Sequence, residues 1–336
     1  MVTPIVSVVM PVYNGSRYLR EAMDSILNQT FTDFELLVVN DGSTDDSEDI
    51  VLSYNDARIC YLKNERNSGI CVTLNKGLDN ARGKYIARMD CDDVSMPNRL
   101  EKQVDYLECH PEVGAIGSDI VTFSEGHSDI YFNFVHDKAE CKAGLLIATC
   151  FAHPVVMLRS SIVNEHHLRY DDTYRGLEDF ELWYRLSKYT ELTNLPEALI
   201  RYRLHKGQAT QNVTKQVSDK EEQFLRQRFL YYFPFTEKQL QTAANYVFNR
   251  WGTFDDSQIL DLMNIFSQII RSKKVRENKS FKRAMQITLS KAFVYTCSMS
   301  SGIKSNRIFL YTKAFINGIV PFDWFCKFVY NEITKR

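Results

Sequence analysis

The first ninety residues alternate strictly between short apolar runs and amphipathic stretches, and few folds accept that order. Ile5 to Tyr13, Glu35 to Asn40, Arg58 to Leu62 and Tyr85 to Met89 are short and rich in Val, Ile and Tyr, as strands covered on both faces are. Between them lie helical patterns: Tyr18 to Gln29, with Leu19, Ala22, Met23, Ile26 and Leu27 on one stripe, then Ser47 to Leu52, then Ile70 to Ala81. Strand–helix alternation of this kind predicts an α/β fold, a mostly parallel sheet flanked by helices. Ligands of such sheets collect beyond the carboxyl ends of the strands.

The fourth run, KYIARMDCDD, ends in Asp90, Asp92 and Asp93. In an extended chain Asp90 and Asp92 share a face. Like charges at that spacing raise a carboxylate's pKa unless a cation relieves them, and oxygen ligands suit Mg²⁺ or Mn²⁺. The plainer alternative is an acidic turn ahead of the helix expected near Pro97, because Asp is common before helices. The first two strand ends, Pro11-Val12-Tyr13-Asn14-Gly15 and Asn40-Asp41-Gly42-Ser43-Thr44-Asp45, are turn formers taken singly. A parallel sheet would bring them to one edge with the acids. No GxGxxG follows the first strand and no GxxxxGK[ST] occurs, so a bound nucleotide has to be held by side chains and a metal.

Further on, a helix is expected from Pro97 to His110, strands at Val113 to Val121 and Ile130 to Val135, a short helix at Cys141 to Ala148 and a strand at Val155 to Leu158. His153 precedes Pro154 and is expected to be extended. In EDFELWYRLSKY a helix places Asp179, Leu182, Trp183 and Leu186 on the buried stripe, with Glu178, Glu181, Arg185 and Lys188 solvated. Desolvation would raise the pKa of Asp179 and make it a usable base; a carboxylate stabilised by the helix dipole is the plainer reading. Glu191 to Tyr202 reads as a strand pair leading to His205.

After about Asn212 the pattern becomes helical throughout: Lys215 to Leu230, Glu237 to Asn249, Ser257 to Arg271, Lys282 to Thr296, Arg307 to Ile316 and Phe322 to Ile333. Two domains are expected, 1–212 and 213–336. From Arg271 onward fourteen lysines and arginines face only Glu277, Asp323 and Glu332, and Pro321 to Tyr330 adds five aromatics. That composition suits an anionic membrane surface or an acidic partner, or simply a solvated basic face. The 336-residue chain carries a formal charge of −1, which gives no reason to expect nucleic acid. Its eight cysteines form no CxxC pair and read as reduced thiols of a cytoplasmic protein.

The ordered set VSVVMPVYN, VVNDGSTDDS, ARGKYIARMDCDD and the Glu178-Asp179 pair resembles the family 2 glycosyltransferases of the GT-A fold, over roughly residues 4 to 210. The resemblance implies a nucleotide-sugar donor, most often a UDP-sugar, and a divalent metal (Mn²⁺ or Mg²⁺). It implies that Pro11, Tyr13 and Asn14 hold the base and ribose edge, that Asp41 bonds the base and that Asp90 lies near the ribose. Asp92 would hold the metal, joined by His205, and Asp179 would be the catalytic base of an inverting transfer. Asn40 stands where many relatives carry a second acid. The acceptor is expected to be a hydroxyl of a glycan or lipid-linked glycan, in cell-surface polysaccharide biosynthesis. The expected location is cytoplasmic, with peripheral contact at the inner face of a membrane through the basic, aromatic C-terminal region. Rival readings are a nucleotidyltransferase, for which PVYNGSRYL is a poor N-terminal loop, and a sugar-nucleotide-binding or scaffold protein of the same fold without catalysis, which would be expected to have lost Asp92 or Asp179.

Overall fold

The computed structural model describes residues 3–208, 219–248, 256–299, 314–315 and 318–319. The chain divides into two compact units, 1–141 with 149–214, and 142–148 with 215–336. The first is built on a nine-stranded sheet. Its strands are β1 (Val6–Val12), β2 (Phe34–Asn40), β3 (Ile59–Lys63), β4 (Tyr85–Arg88), β5 (Val94–Ser95), β6 (Val113–Phe123), β7 (Ile130–Phe132), β8 (Met157–Arg159) and β9 (Glu191–Arg203). The order is β3-β2-β1-β4-β8-β6-β9-β5, with β7 paired to β6. β3, β2, β1 and β4 run parallel. Antiparallel β8 then joins β4 to β6, and β6 pairs in parallel with β9.

The helices that alternate with the parallel strands are α1 (Ser16–Leu27), α2 (Ser47–Leu52), α3 (Ile70–Asn80) and α4 (Arg99–Cys109). Alternation decides which side chain meets which helix. Val6, Val8, Met10 and Val12 of β1 join one core with Leu19, Ala22, Met23 and Ile26 of α1, Val51 of α2 and Leu100, Val104 and Leu107 of α4. Val9 points the other way, towards α3. A Cβ on Gly77 would lie 2.3 Å from Val9 Cγ1, so glycine there lets the helix sit close to the strand. With both faces covered, every residue of β1 and β2 is buried.

Three local expectations fail. His153 is not extended but opens a one-turn 3-10 helix, His153–Val155, where Pro154 loses nothing by lacking an N–H. Glu191 to Tyr202 is one continuous strand rather than a pair. Pro196 and Glu197 fall where the β6–β9 register shifts, between Ser118↔Leu195 and Asp119↔Ala198; a bulge accommodates the proline. The short helix expected at Cys141 to Ala148 is α5, Lys138–Gly144, which starts three residues earlier and ends four earlier. Two further helices, α6 (Ser160–Glu165) and α7 (Glu178–Leu186), complete this unit.

The second unit contains α8 (Asp219–Tyr232), α9 (Glu237–Phe248), α10 (Asp256–Arg271), α11 (Lys273–Arg276) and α12 (Lys279–Met299). Its interior includes Phe224, Phe229, Ile265, Phe266, Leu289 and Phe293. Arg228, fully buried, donates to the carbonyls of Leu145 and Leu146, which ties the 142–148 segment into this bundle. Arg307 to Ile316 and Phe322 to Ile333 lie almost wholly outside the described residues, as does the aromatic segment Pro321 to Tyr330. No helix among the described residues is long and apolar enough to cross a membrane.

Candidate active site

The end of β1 is shaped by its neighbour. Asn14, at φ 49°, donates its N–H to Ser43 Oγ (3.0 Å) and accepts from Thr44 N on its side-chain oxygen (2.8 Å). Gly15 N–H donates to Ser47 Oγ (3.0 Å) and Ser16 N–H to Asp45 (2.9 Å). The amides opening α1 are therefore taken up by the loop after β2. Asp41, buried, receives Asn64 Nδ2 (2.8 Å) and Ser68 N (2.9 Å) on one oxygen and Gly69 N (2.9 Å) on the other. Three of the roughly four acceptor sites of its carboxylate are thus filled. Gly42, at φ +68°, lies against the Arg66 backbone, 2.6 Å from where a Cβ would be; only glycine fits that turn. Asn40 accepts from Ser43 N and donates to Tyr61.

Beyond β4 the acids face one another. One oxygen each of Asp90, Asp92 and Asp93 come within 4.8 Å. Burial, and the Asp92 charge against the pull of Arg88, leave the Asp90 carboxyl above its ordinary range. Burial with Asp90 and Asp92 beside it pushes Asp93 well up. Asp93 accepts the Arg203 N–H (2.8 Å), while its second oxygen is buried without a hydrogen-bond partner. Crowded hard oxygens with one orphaned atom fit a divalent cation better than they fit a dry protein interior. Asp92 Oδ2 also meets His205 Nε2 at 2.9 Å, and Gly207 N–H approaches Nδ1 of the same ring at 3.2 Å.

Arg203 fixes this loop from the end of β9. Its Nε donates to the Asp92 carbonyl (2.7 Å), Nη2 pairs with Glu21, and the guanidinium lies between the rings of Tyr18 and Phe123 at 4.3 and 4.5 Å. A cavity of about 750 Å³ opens here, with Tyr13, Asn14, Asp92 and His205 in its wall beside Arg17, Tyr18 and the Ser124–His127 loop. The structure therefore brings Tyr13, Asn14, Asp92 and His205 to one space. Pro11 lies buried inside β1, in register with Val39, and Asp41 is enclosed behind its loop.

Asp179 occupies the first turn of α7 and receives the Phe180 N–H at 2.7 Å. It is half-buried, and loss of water followed by the neighbouring Glu178 charge pushes its pKa up to about 6. Asp179 does not line the 750 Å³ cavity; what it shares with the acid cluster is the field of Arg88. Arg88, almost fully buried, forms an ion pair with Asp90, and its field also acts on Asp179. Glu178 is not simply the surface charge expected: it is half-buried and its carboxylate acts on Asp90. Glu181 departs further. It was expected on the solvated stripe, yet it is 6% exposed and binds Arg185 at 2.6 and 2.7 Å. Arg185 in turn donates to the Arg169 carbonyl (2.6 Å), so the segment around Arg169 roofs that side of α7. Leu182, Trp183 and Leu186 are buried as expected.

Tyr170, on which the Asp179 charge acts, bonds His153 (2.9 Å), and both rings lie against Trp183. Burial, then Arg88, hold the imidazole well below its usual pKa, so it is neutral. The sequence reading missed Arg88 and Arg203. The signal for Arg88 was a lone cation inside the otherwise apolar run YIARM.

A mixed, mostly parallel sheet flanked by helices is the GT-A fold, and here an acid cluster stands beyond β4. Residues 7–165 match the model for glycosyl transferase family 2. An uncharacterized glycosyltransferase of Haemophilus influenzae is 34% identical over 241 residues, covering 68% of this chain and 74% of that protein. One of Methanocaldococcus jannaschii is 36% identical over 209 residues, 60% of this chain and 71% of that protein. The chain belongs to glycosyl transferase family 2. Among solved structures it is similar in fold to S. aureus TarS 1–349 (TM-score 0.56, 16% identity, 87% of both chains). It is similar also to the mannosyltransferase PcManGT of Pyrobaculum calidifontis, solved with GDP-Man and Mn²⁺ (TM-score 0.53, 17% identity, 88% of both chains).

Proposed function

We propose that this glycosyltransferase is metal-dependent and inverting, and moves a sugar from a UDP-sugar to a hydroxyl of a glycan or lipid-linked acceptor in cell-surface polysaccharide biosynthesis. The observation that carries the reading is the pairing of two unlike acid environments: the mutually repelling Asp90, Asp92 and Asp93, and the desolvated Asp179 at about 6. The first would hold the cation, with Asp92 as principal ligand, His205 beside it and Asp90 turned to the donor ribose. A bound divalent ion supplies Lewis-acid neutralisation of the departing diphosphate. Tyr13 and Asn14 offer a ring and an amide to the nucleotide. Pro11 aims that strand end. Asp41, enclosed behind its loop, would serve the base only indirectly, by bracing that strand end at Asn64, Ser68 and Gly69.

Asp179 takes the proton from the acceptor hydroxyl as the new bond forms. A base whose pKa lies near the working pH combines availability with driving force, and about 6 meets that condition. Attack from the side of the base, opposite the leaving diphosphate, inverts the anomeric carbon. TarS has been solved with UDP-GlcNAc and PcManGT with GDP-Man and Mn²⁺, which supports a nucleotide-sugar donor and a metal here. A panel of nucleotide sugars, tested with and without Mn²⁺ for thermal stabilisation, checks the reading, because a ligand of the folded state raises Tm. A Mn²⁺-dependent rise with a UDP-sugar is expected. Stabilisation by every nucleotide sugar without metal would overturn the metal role.

A further inference from the structure

The second unit carries a surface that the transfer reaction does not use. Around the short helix α11, Arg271, Lys273, Lys274, Arg276 and Lys279 are all exposed, and the acid among them is Glu277, 3.8 Å from Lys273. At the end of α8, whose Tyr231 meets Lys274, apolar groups are exposed as well. Leu230 and Tyr231, at the end of α8, are 46% and 52% exposed. Lys274 Nζ sits 3.4 Å from the centre of the Tyr231 ring, Tyr231 packs edge-on against Tyr232, and Tyr232 stacks with Phe281 of α12. Cations and aromatic rings are thus interleaved on adjoining elements, with one leucine projecting.

We propose that this face of α8 and α11 docks on an anionic lipid bilayer. Two physical features select that partner. Tyrosine rings with a polar end and an apolar body settle at the headgroup level, and lysines reach past them to phosphates. An exposed leucine gains from the acyl boundary, whereas a nucleic acid or an acidic polymer offers it nothing. The whole chain's charge of −1 means the attraction is local to this patch and not a property of the molecule. The inference rests on the charge and exposure of this face, so it can fail while the reading of the active site stands.

The full-length protein is sedimented with vesicles of phosphatidylcholine alone and with vesicles of equal parts phosphatidylcholine and phosphatidylglycerol. Binding is expected only to the second, and it weakens as salt screens the charges. Each cation near an anionic surface adds about a fivefold gain, so the triple variant Lys273→Glu, Lys274→Glu, Arg276→Glu loses about a hundredfold or more. The double variant Leu230→Ser, Tyr231→Ser loses roughly tenfold. Transfer to a soluble acceptor and Tm stay as in the parent. Equal binding to neutral vesicles, unchanged binding of the triple variant, or a salt-independent association would each overturn the proposal. So would a double variant that binds anionic vesicles as tightly as the parent, since an acidic protein or polymer partner would then explain the cations alone.

Discussion

Two acidic loops stand at one edge of the sheet, and they are built on opposite terms. In the loop after β2, Asp41 and Asp45 meet donors on both carboxylate oxygens: Asn64, Ser68 and Gly69 for the first, Ser16 and Ser47 for the second. Burial alone would raise Asp45, yet the donors from Ser47 and Ser16 hold it below the ordinary carboxylate range. In the loop after β4, the acids crowd one another and Asp90 and Asp93 are raised. That contrast separates a structural joint from a binding site. A carboxylate that receives donors on both oxygens stabilises the fold, whereas one left facing its like stores repulsion that a cation can relieve.

The sharpest way to break the comparison is through Asp179. Replacing it with Asn should lower turnover by about 10²–10⁴ while donor binding with Mn²⁺, followed by calorimetry, stays near that of the parent. Loss of donor binding instead would place Asp179 in the nucleotide pocket. Next in size, Asp92→Ala should remove metal-dependent donor affinity by more than the roughly 10–100-fold typical of a metal's outer partners; unchanged calorimetric binding would place the ion elsewhere.

Stability should respond in the reverse pattern. Asp41→Ala strands buried donors at a cost of about 1–3 kcal/mol, and Gly42→Ala forces a Cβ onto the Arg66 backbone at a similar cost. Both should lower Tm by several degrees. Asp92→Asn, measured without metal, should leave Tm unchanged or raise it, because it thins the crowd. A fall in Tm as large as that of Asp41→Ala would erase the distinction between the two loops.

The smallest effect is in pH. Asp179 is raised in the folded protein from 3.8 to about 6, so folding takes up protons in that window and stability declines as pH rises through it. Asp179→Asn should flatten this slope in urea titrations at several pH values. In the parent the rate should fall below about pH 6 as the base becomes protonated, with Glu178 and Arg88 as the charges that face it.

Much of this contrast was legible in the chain. Period-two and 3.6-residue patterns act locally, so the parallel strands and α1 to α4 follow from the sequence within a residue or two at most ends. What escaped depends on partners distant in the chain. β5 is only Val94–Ser95, and it is a strand because Arg201 and Ile200 pair with it. The bulge at Pro196 belongs to the β6 register, and buried Glu181 is paired with Arg185, which reaches the distant Arg169 carbonyl. The acid motif could be seen, but not Arg88 beneath it: nothing local says that a cation within a buried strand will reach both Asp90 and Asp179. The difference between Asp41 and Asp92 was likewise invisible, since both stand at strand ends and only the donors supplied by residues 64 to 69 separate them.

In the proposed site one cation organises the loop after β4 and leaves Asp179 free to act as base. Crystals of the protein soaked with MnCl₂ and UDP, measured at the manganese absorption edge, address it directly. One anomalous peak is expected at coordination distance from the Asp92 carboxylate, with Asp179 not bonded to it. A peak at another site, or Asp179 itself ligating the ion, would overturn the roles proposed for both residues.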